Sequence, residues 1–70
     1  MRFRKIETGT YLVYWRGNFV GTVYRIRWTS GSATEWKAVG PGLTYVSRGF
    51  DTRQSAAEKL AAEYAKGQYK

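Results

Sequence analysis

Seventy residues permit one domain with a single small core. The chain has no Cys and no His, which excludes disulfides, thiolate–zinc sites and catalysis by a thiol or an imidazole. Twelve basic residues against five acids leave a formal charge of +7 and a pI near 10.1, and self-repulsion of that size points to a polyanionic partner, nucleic acid ahead of an anionic membrane surface.

Residues 1–9, MRFRKIETG, combine Arg2, Arg4 and Lys5 with Phe3 and Ile6. They read as a flexible arm, or as an added strand docked through the two apolar side chains. No apolar run stands behind the charges, so neither a signal peptide nor a transmembrane helix is expected, and the expected location is the cytoplasm (nucleoid or host cytoplasm). Residues 11–15 are aromatic, β-branched or aliphatic, and 11–16 read as a strand. Gly17-Asn18 has the composition of a two-residue type II′ hairpin turn. Residues 19–28 then form a longer strand, Ser30, Gly31 and Ser32 a turn, and residues 34–39 a third strand. Gly40-Pro41-Gly42 breaks the chain before a fourth strand at 43–48. The period then changes. Ala56, Ala57, Leu60, Ala61 and Tyr64 recur at helical spacing, Asp51 or Thr52 can cap, Asp51 and Gln54 have capping-box spacing, and Gly67 stops the run. The expected fold is α+β. An antiparallel three- to four-stranded meander over 10–49 precedes one C-terminal helix, about 52–66, packed on one sheet face.

A Gly17-Asn18 loop fixes which side chains share a face. It puts Val13, Trp15, Val20, Thr22, Tyr24, Ile26 and Trp28 on one side. A register with Arg27 opposite Glu35 and Ile26 opposite Trp36 adds Trp36, Ala38 and Val46 to that apolar side, which the helix then covers. The other side holds Leu12, Tyr14, Arg16, Phe19, Gly21, Val23, Arg25, Arg27, Lys37 and Tyr45. Gly21 inside a strand marks a bulge or a close backbone approach, and a bulge would invert the faces beyond it.

The sheet half is the charged half. Residues 1–50 hold eight basic residues and two acids, while residues 51–70 hold four and three. The expected nucleic-acid-binding set is Arg16, Arg25, Arg27 and Lys37, interleaved with Tyr14, Phe19 and Tyr45. Arg48 and Arg53 flank the strand-to-helix corner, where Arg53 and the free amides of the helix start suit a phosphate. Arg2 and Arg4 suit an arm entering a minor groove. An ordinary solvated face with Arg packed on Tyr is the competing account. The five carboxylates are scattered and the glycines sit at turns, so no enzyme, cofactor, metal or small-molecule substrate is expected.

Phe50-Asp51-Thr52 followed by Ala56-Ala57, Leu60-Ala61 and Tyr64, with Trp36-x-Ala38 in the strand before the last, resembles two known families. These are the ethylene-response-factor (APETALA-type) DNA-binding domains and the arm-type N-terminal domains of phage integrases. The resemblance covers residues 19–66. It implies a three-stranded sheet whose exposed face enters the major groove, with Arg25, Arg27 and Lys37 facing it. Phe19-Val20-Gly21 stands where the plant family has Tyr-Arg-Gly, and the strand at 11–16 is extra. The resulting expectation is a small phage or mobile-element accessory factor that binds duplex DNA. Single-stranded DNA or RNA is the alternative within that class. A protein-interaction module, such as a phage protein that inhibits a host protein, is the alternative outside it. A homodimer through exposed edge strands is a further expectation.

Overall fold

Two successive residues in the left-handed region, Arg16 (φ 53) and Gly17 (φ 79), reverse the chain between Trp15 and Asn18. Positive φ at both central positions is the type I′ geometry, whose twist matches that of the flanking strands. Asn18 supports it by donating from Nδ2 to the Arg16 carbonyl at 3.3 Å. The turn therefore lies one residue earlier than Gly17-Asn18.

The computed structural model describes residues 1–27, 34–43 and 45–67, and of Arg27 only the backbone. Five strands form one antiparallel sheet in sequence order: β1 (Arg2–Glu7), β2 (Thr10–Trp15), β3 (Asn18–Arg27), β4 (Thr34–Val39) and β5 (Val46–Phe50). One helix, α1 (Arg53–Ala65), follows. The α+β class and the meander-then-helix order are as the sequence implies. The N-terminal segment is a full strand, which makes the sheet one strand wider than expected. The expected turn at Ser30, Gly31 and Ser32, together with Trp28, lies outside the described residues.

A β-bulge at Val20 decides the faces. Tyr14 pairs with Phe19, but Val13 pairs with Gly21, so Val20 is the extra residue. Before the bulge, Trp15 and Val20 share a side, as expected. Beyond it the sides exchange, because side chains alternate with period two. Val23 is fully buried on the helix side, while Tyr24 and Ile26 face away. The β3–β4 register is also one residue from expectation, with Arg25 opposite Trp36 and Ile26 opposite Glu35. The two differences cancel in β4, so Trp36 and Ala38 meet the helix and Lys37 does not.

The β4–β5 connection is longer than three residues. The Gly40 amide donates to the Tyr45 carbonyl at 2.6 Å, and a short 3-10 turn spans Pro41–Leu43. Val39 then pairs with Val46, and β5 begins at Val46 rather than Leu43. Val46 therefore lies on the face away from the helix, and Tyr45 on the helix side, the reverse of both expectations.

The core consists of Val13, Val20, Val23, Ala38, Ala56, Ala57 and Leu60, with Phe3, Tyr11, Trp15, Trp36, Tyr45, Phe50 and Tyr64 packed around it. Large half-buried aromatics compensate for a small set of fully buried residues, since each covers much area. Small helix residues let α1 sit close to the sheet. Thr52 caps α1, its Oγ1 accepting from the Ser55 amide at 3.1 Å, so Asp51 is not the cap. Gln54 donates to Glu58 instead of closing a capping box. At the other end the Gly67 amide donates to the Tyr64 carbonyl at 3.0 Å, and Gly67 takes φ 76, the glycine stop that the sequence indicates.

Candidate nucleic-acid interface

With α1 on one face, no other helix or strand among the described residues covers the opposite face. Strand pairing arranges its side chains in rows. Arg2, Tyr14 and Phe19 form the row nearest the β2–β3 turn. Arg4, Leu12, Thr22, Val39 and Val46 form the next. Thr10, Tyr24 and Lys37 follow, then Ile26 opposite Glu35. The Tyr14 and Phe19 rings meet with centroids 5.7 Å apart and planes tilted by 55°. Arg2, Arg4 and Phe19 are exposed, and Leu12, Tyr14, Tyr24 and Lys37 are half-buried. Beside the first row, Arg2, Phe3, Arg4, Tyr14 and Gly17 line an open depression of about 380 Å³.

Charge on this face is concentrated at the β1 edge, with one further cation on interior strand β4. Arg2 and Arg4 stand on edge strand β1, and Lys37 stands on β4. None of the three forms an ion pair among the described residues. Arg48 donates from Nε to Glu35 Oε2 at 2.8 Å, which neutralises the acid of the last row. The middle of the face is aromatic and aliphatic.

The expected binding set thus divides. Tyr14, Phe19, Lys37, Arg48, Arg2 and Arg4 share the open face. Arg25 does not, because the bulge turns it to the helix side. It remains exposed there, against the β1–β2 turn, where its amide donates to the Gly9 carbonyl at 2.7 Å. The desolvation that argues against an Arg on the covered face does not arise, since Arg25 lies at the sheet end where α1 begins. The Arg27 backbone pairs with Thr34, and its side chain lies outside the description. Tyr45 packs beneath α1 near Lys59. Arg16 occupies the hairpin tip, its guanidinium carbon 4.7 Å from the Trp15 ring centroid.

Arg53 is held between two rings, 4.5 Å from the centroid of Phe3 and 4.4 Å from that of Tyr11. This contact ties β1 to the first turn of α1 and makes Arg53 a packing residue. Arg2 and Arg4 are accordingly strand residues rather than a free arm. Tyr24 joins the open face without having been singled out from sequence. The signal for it was Gly21, whose bulge reverses the alternation.

In comparisons with known proteins, the chain matches no family model, no curated protein and no solved structure. The fold defines a class, a five-stranded antiparallel meander with one covering helix. No helix of the described residues is long and apolar enough to cross a membrane.

Proposed function

We propose that this chain is a small nucleic-acid-binding module that uses the open face of its sheet. One observation carries the reading: the face opposite α1 joins three cations, Arg2, Arg4 and Lys37, none of them ion-paired among the described residues, to the exposed or half-exposed rings of Tyr14, Phe19 and Tyr24. Cations at phosphate positions supply affinity without sequence preference, and rings contact sugars or bases. The net charge of +7 favours association with a polyanion over self-association. By the resemblance to arm-type and ethylene-response-factor domains, duplex DNA is one such ligand, and a phage or mobile-element accessory role is the matching context.

A salt titration tests the reading. Binding to labelled oligonucleotides at about 50 mM salt that weakens at least tenfold by about 200 mM is the expected result for several phosphate contacts. Absence of binding to both duplex and single strands at low salt overturns it. A second reading, docking of a protein partner, is favoured by the exposed apolar side chains of Leu43 and Val46 beside the β4–β5 turn. Capture of an acidic protein with no affinity for oligonucleotides would support that alternative.

A further inference from the structure

From the shape of this face we infer that its ligand is single-stranded nucleic acid, with bases stacked on Tyr14, Phe19 and Tyr24 and phosphates on Arg2, Arg4 and Lys37. The inference rests on the nucleic-acid reading above and narrows it.

Width is the first argument. The face spans five hydrogen-bonded strands. At about 4.8 Å per strand spacing, roughly 19 Å separates β1 from β5. The major groove of B-form DNA is about 12 Å wide and admits a helix or a two-stranded ribbon. A five-stranded face laid flat does not enter it, and the two edge strands, β1 with Arg2 and Arg4 and β5 with Val46, would meet the groove walls before the centre reached the bases. The helix offers no substitute reader. Its exposed residues are Gln54, Ser55, Glu58, Ala62 and Ala65, the acid among them repels phosphate, and the half-exposed Lys59 is engaged by Glu63.

The arrangement of side chains is the second argument. Aromatic and aliphatic groups occupy β2 and β3, Arg2 and Arg4 stand on the β1 edge, and Lys37 stands on β4 on the far side of those rings, none of the three ion-paired among the described residues. A duplex shows an approaching flat surface its phosphates, which would set the two polyanionic backbones against rings and leave base faces hidden. A single strand reverses that order: its bases turn inward onto rings, and its phosphates turn outward to the rim. Tyr14 and Phe19 touch at 5.7 Å, tilted rather than stacked on one another, so part of each ring surface stays open to a base. The depression of about 380 Å³ between Arg2, Arg4 and Tyr14 lies where the nucleotide beside Tyr14 would place its sugar and phosphate.

Fluorescence anisotropy separates the outcomes. The full chain is titrated with labelled oligo(dT) and oligo(U) of about twelve nucleotides, a length within the range that such surfaces occupy, and with a duplex of the same length. The single strands are expected to bind at least tenfold more tightly than the duplex. Combined Tyr14→Ala and Phe19→Ala changes are expected to weaken single-strand binding by roughly tenfold to a hundredfold, and to alter duplex binding little. Tyr14→Phe keeps the ring and is expected to bind as the parent does, which distinguishes stacking from a hydroxyl contact. Far-UV circular dichroism verifies that each variant is folded. Should the alanine pair unfold, ring-proton shifts of Tyr14 and Phe19 on adding oligo(dT) to the parent chain decide instead. Tighter duplex binding, or unshifted rings under saturating oligo(dT), overturns the single-strand inference and leaves the nucleic-acid reading standing. Failure of every oligonucleotide to bind overturns both.

Discussion

Gly21 of β3 and Leu60 of α1 stand so close that a β-carbon on Gly21 would lie 2.9 Å from Leu60 Cδ2 and 2.5 Å from the Val39 carbonyl oxygen. Gly21 also takes φ +144, a conformation costly for other residues. Gly21→Ala is therefore expected to lower unfolding free energy by on the order of 3 kcal/mol, from strain and overpacking together. Gly17→Ala supplies the comparison. Gly17 also has positive φ, but a β-carbon there meets nothing within 4 Å, so its cost should stay near the roughly 1 kcal/mol of the backbone alone. Urea denaturation of the two variants measures the difference; equal losses would remove the claim that the helix requires the glycine.

That same glycine explains how far the sequence could be read. The change from period two to helical spacing after Phe50, the Gly40-Pro41-Gly42 break and the Gly67 stop are local signals, and the helix, four of the strands and their order follow from them. Faces are different, because each is inherited from every residue before it. One extra residue at Val20 reversed Arg25, Tyr24 and Ile26 at once. The composition of 11–28 fits either parity, since Val, Tyr and Ile suit both sides of a strand, and only Gly21 hinted at the exchange. Arg2 and Arg4 were hard to place for another reason. Their strand is held by Arg53, nearly fifty residues away in the chain, and no local pattern records that contact.

The Arg53 contact predicts a role in anchoring β1. Arg53→Ala removes the cation from both Phe3 and Tyr11, and each such contact is worth about 1 kcal/mol when partly buried. The expected result is faster amide exchange through β1 with β3 and β4 protection retained. Arg53→Lys should not restore β1, because an ammonium lacks the flat guanidinium that lies between two rings. Unchanged exchange in β1 would assign its docking to the β2 ladder alone.

Leu60 fills the space between α1 and the sheet and is fully buried. Leu60→Ala should cost about 2–5 kcal/mol through lost burial and the cavity left behind. In a domain of this size that is most of the stability. The variant is expected to lose its near-UV circular dichroism while keeping part of its far-UV signal, or to unfold, near 37 °C, and a loss below about 1 kcal/mol would mean that the helix repacks.

Alkaline stability should depend on one lysine. The Lys59 ammonium is held above its ordinary value, first by its hydrogen bond to Glu63 and then by the charges of Tyr45 and Glu63. Glu63 is itself buried, 3.1 Å from Lys59 Nζ and 3.7 Å from Lys66 Nζ. A raised folded value means that the contribution is fully present below the unfolded pKa of about 10.4, and is lost as pH rises through the folded one. Lys59→Met should therefore lower the urea midpoint at pH 7 and shrink the midpoint's decline above pH 10. A variant whose alkaline decline matches the parent's would place that decline elsewhere.

The division of cations between the two faces gives the sharpest test of the binding surface, because charge counting alone treats all of them alike. Each phosphate neutralised contributes about 0.7 to the salt slope for a single strand and about 0.9 for duplex DNA. Arg2, Arg4 and Lys37 share the open face, so their combined change to Ala should flatten the slope by roughly 2 to 3 and weaken binding at low salt. Arg25→Ala removes the same charge per residue from the helix side, and long-range attraction falls off within about 10 Å at ordinary ionic strength. It should leave the slope within about 0.3 of the parent's. If Arg25→Ala instead flattens the slope by a full contact while the triple change does not, the nucleic acid lies on the helix side. The open face would then be free for a different partner, with Leu43 and Val46 at its margin as the first residues to probe.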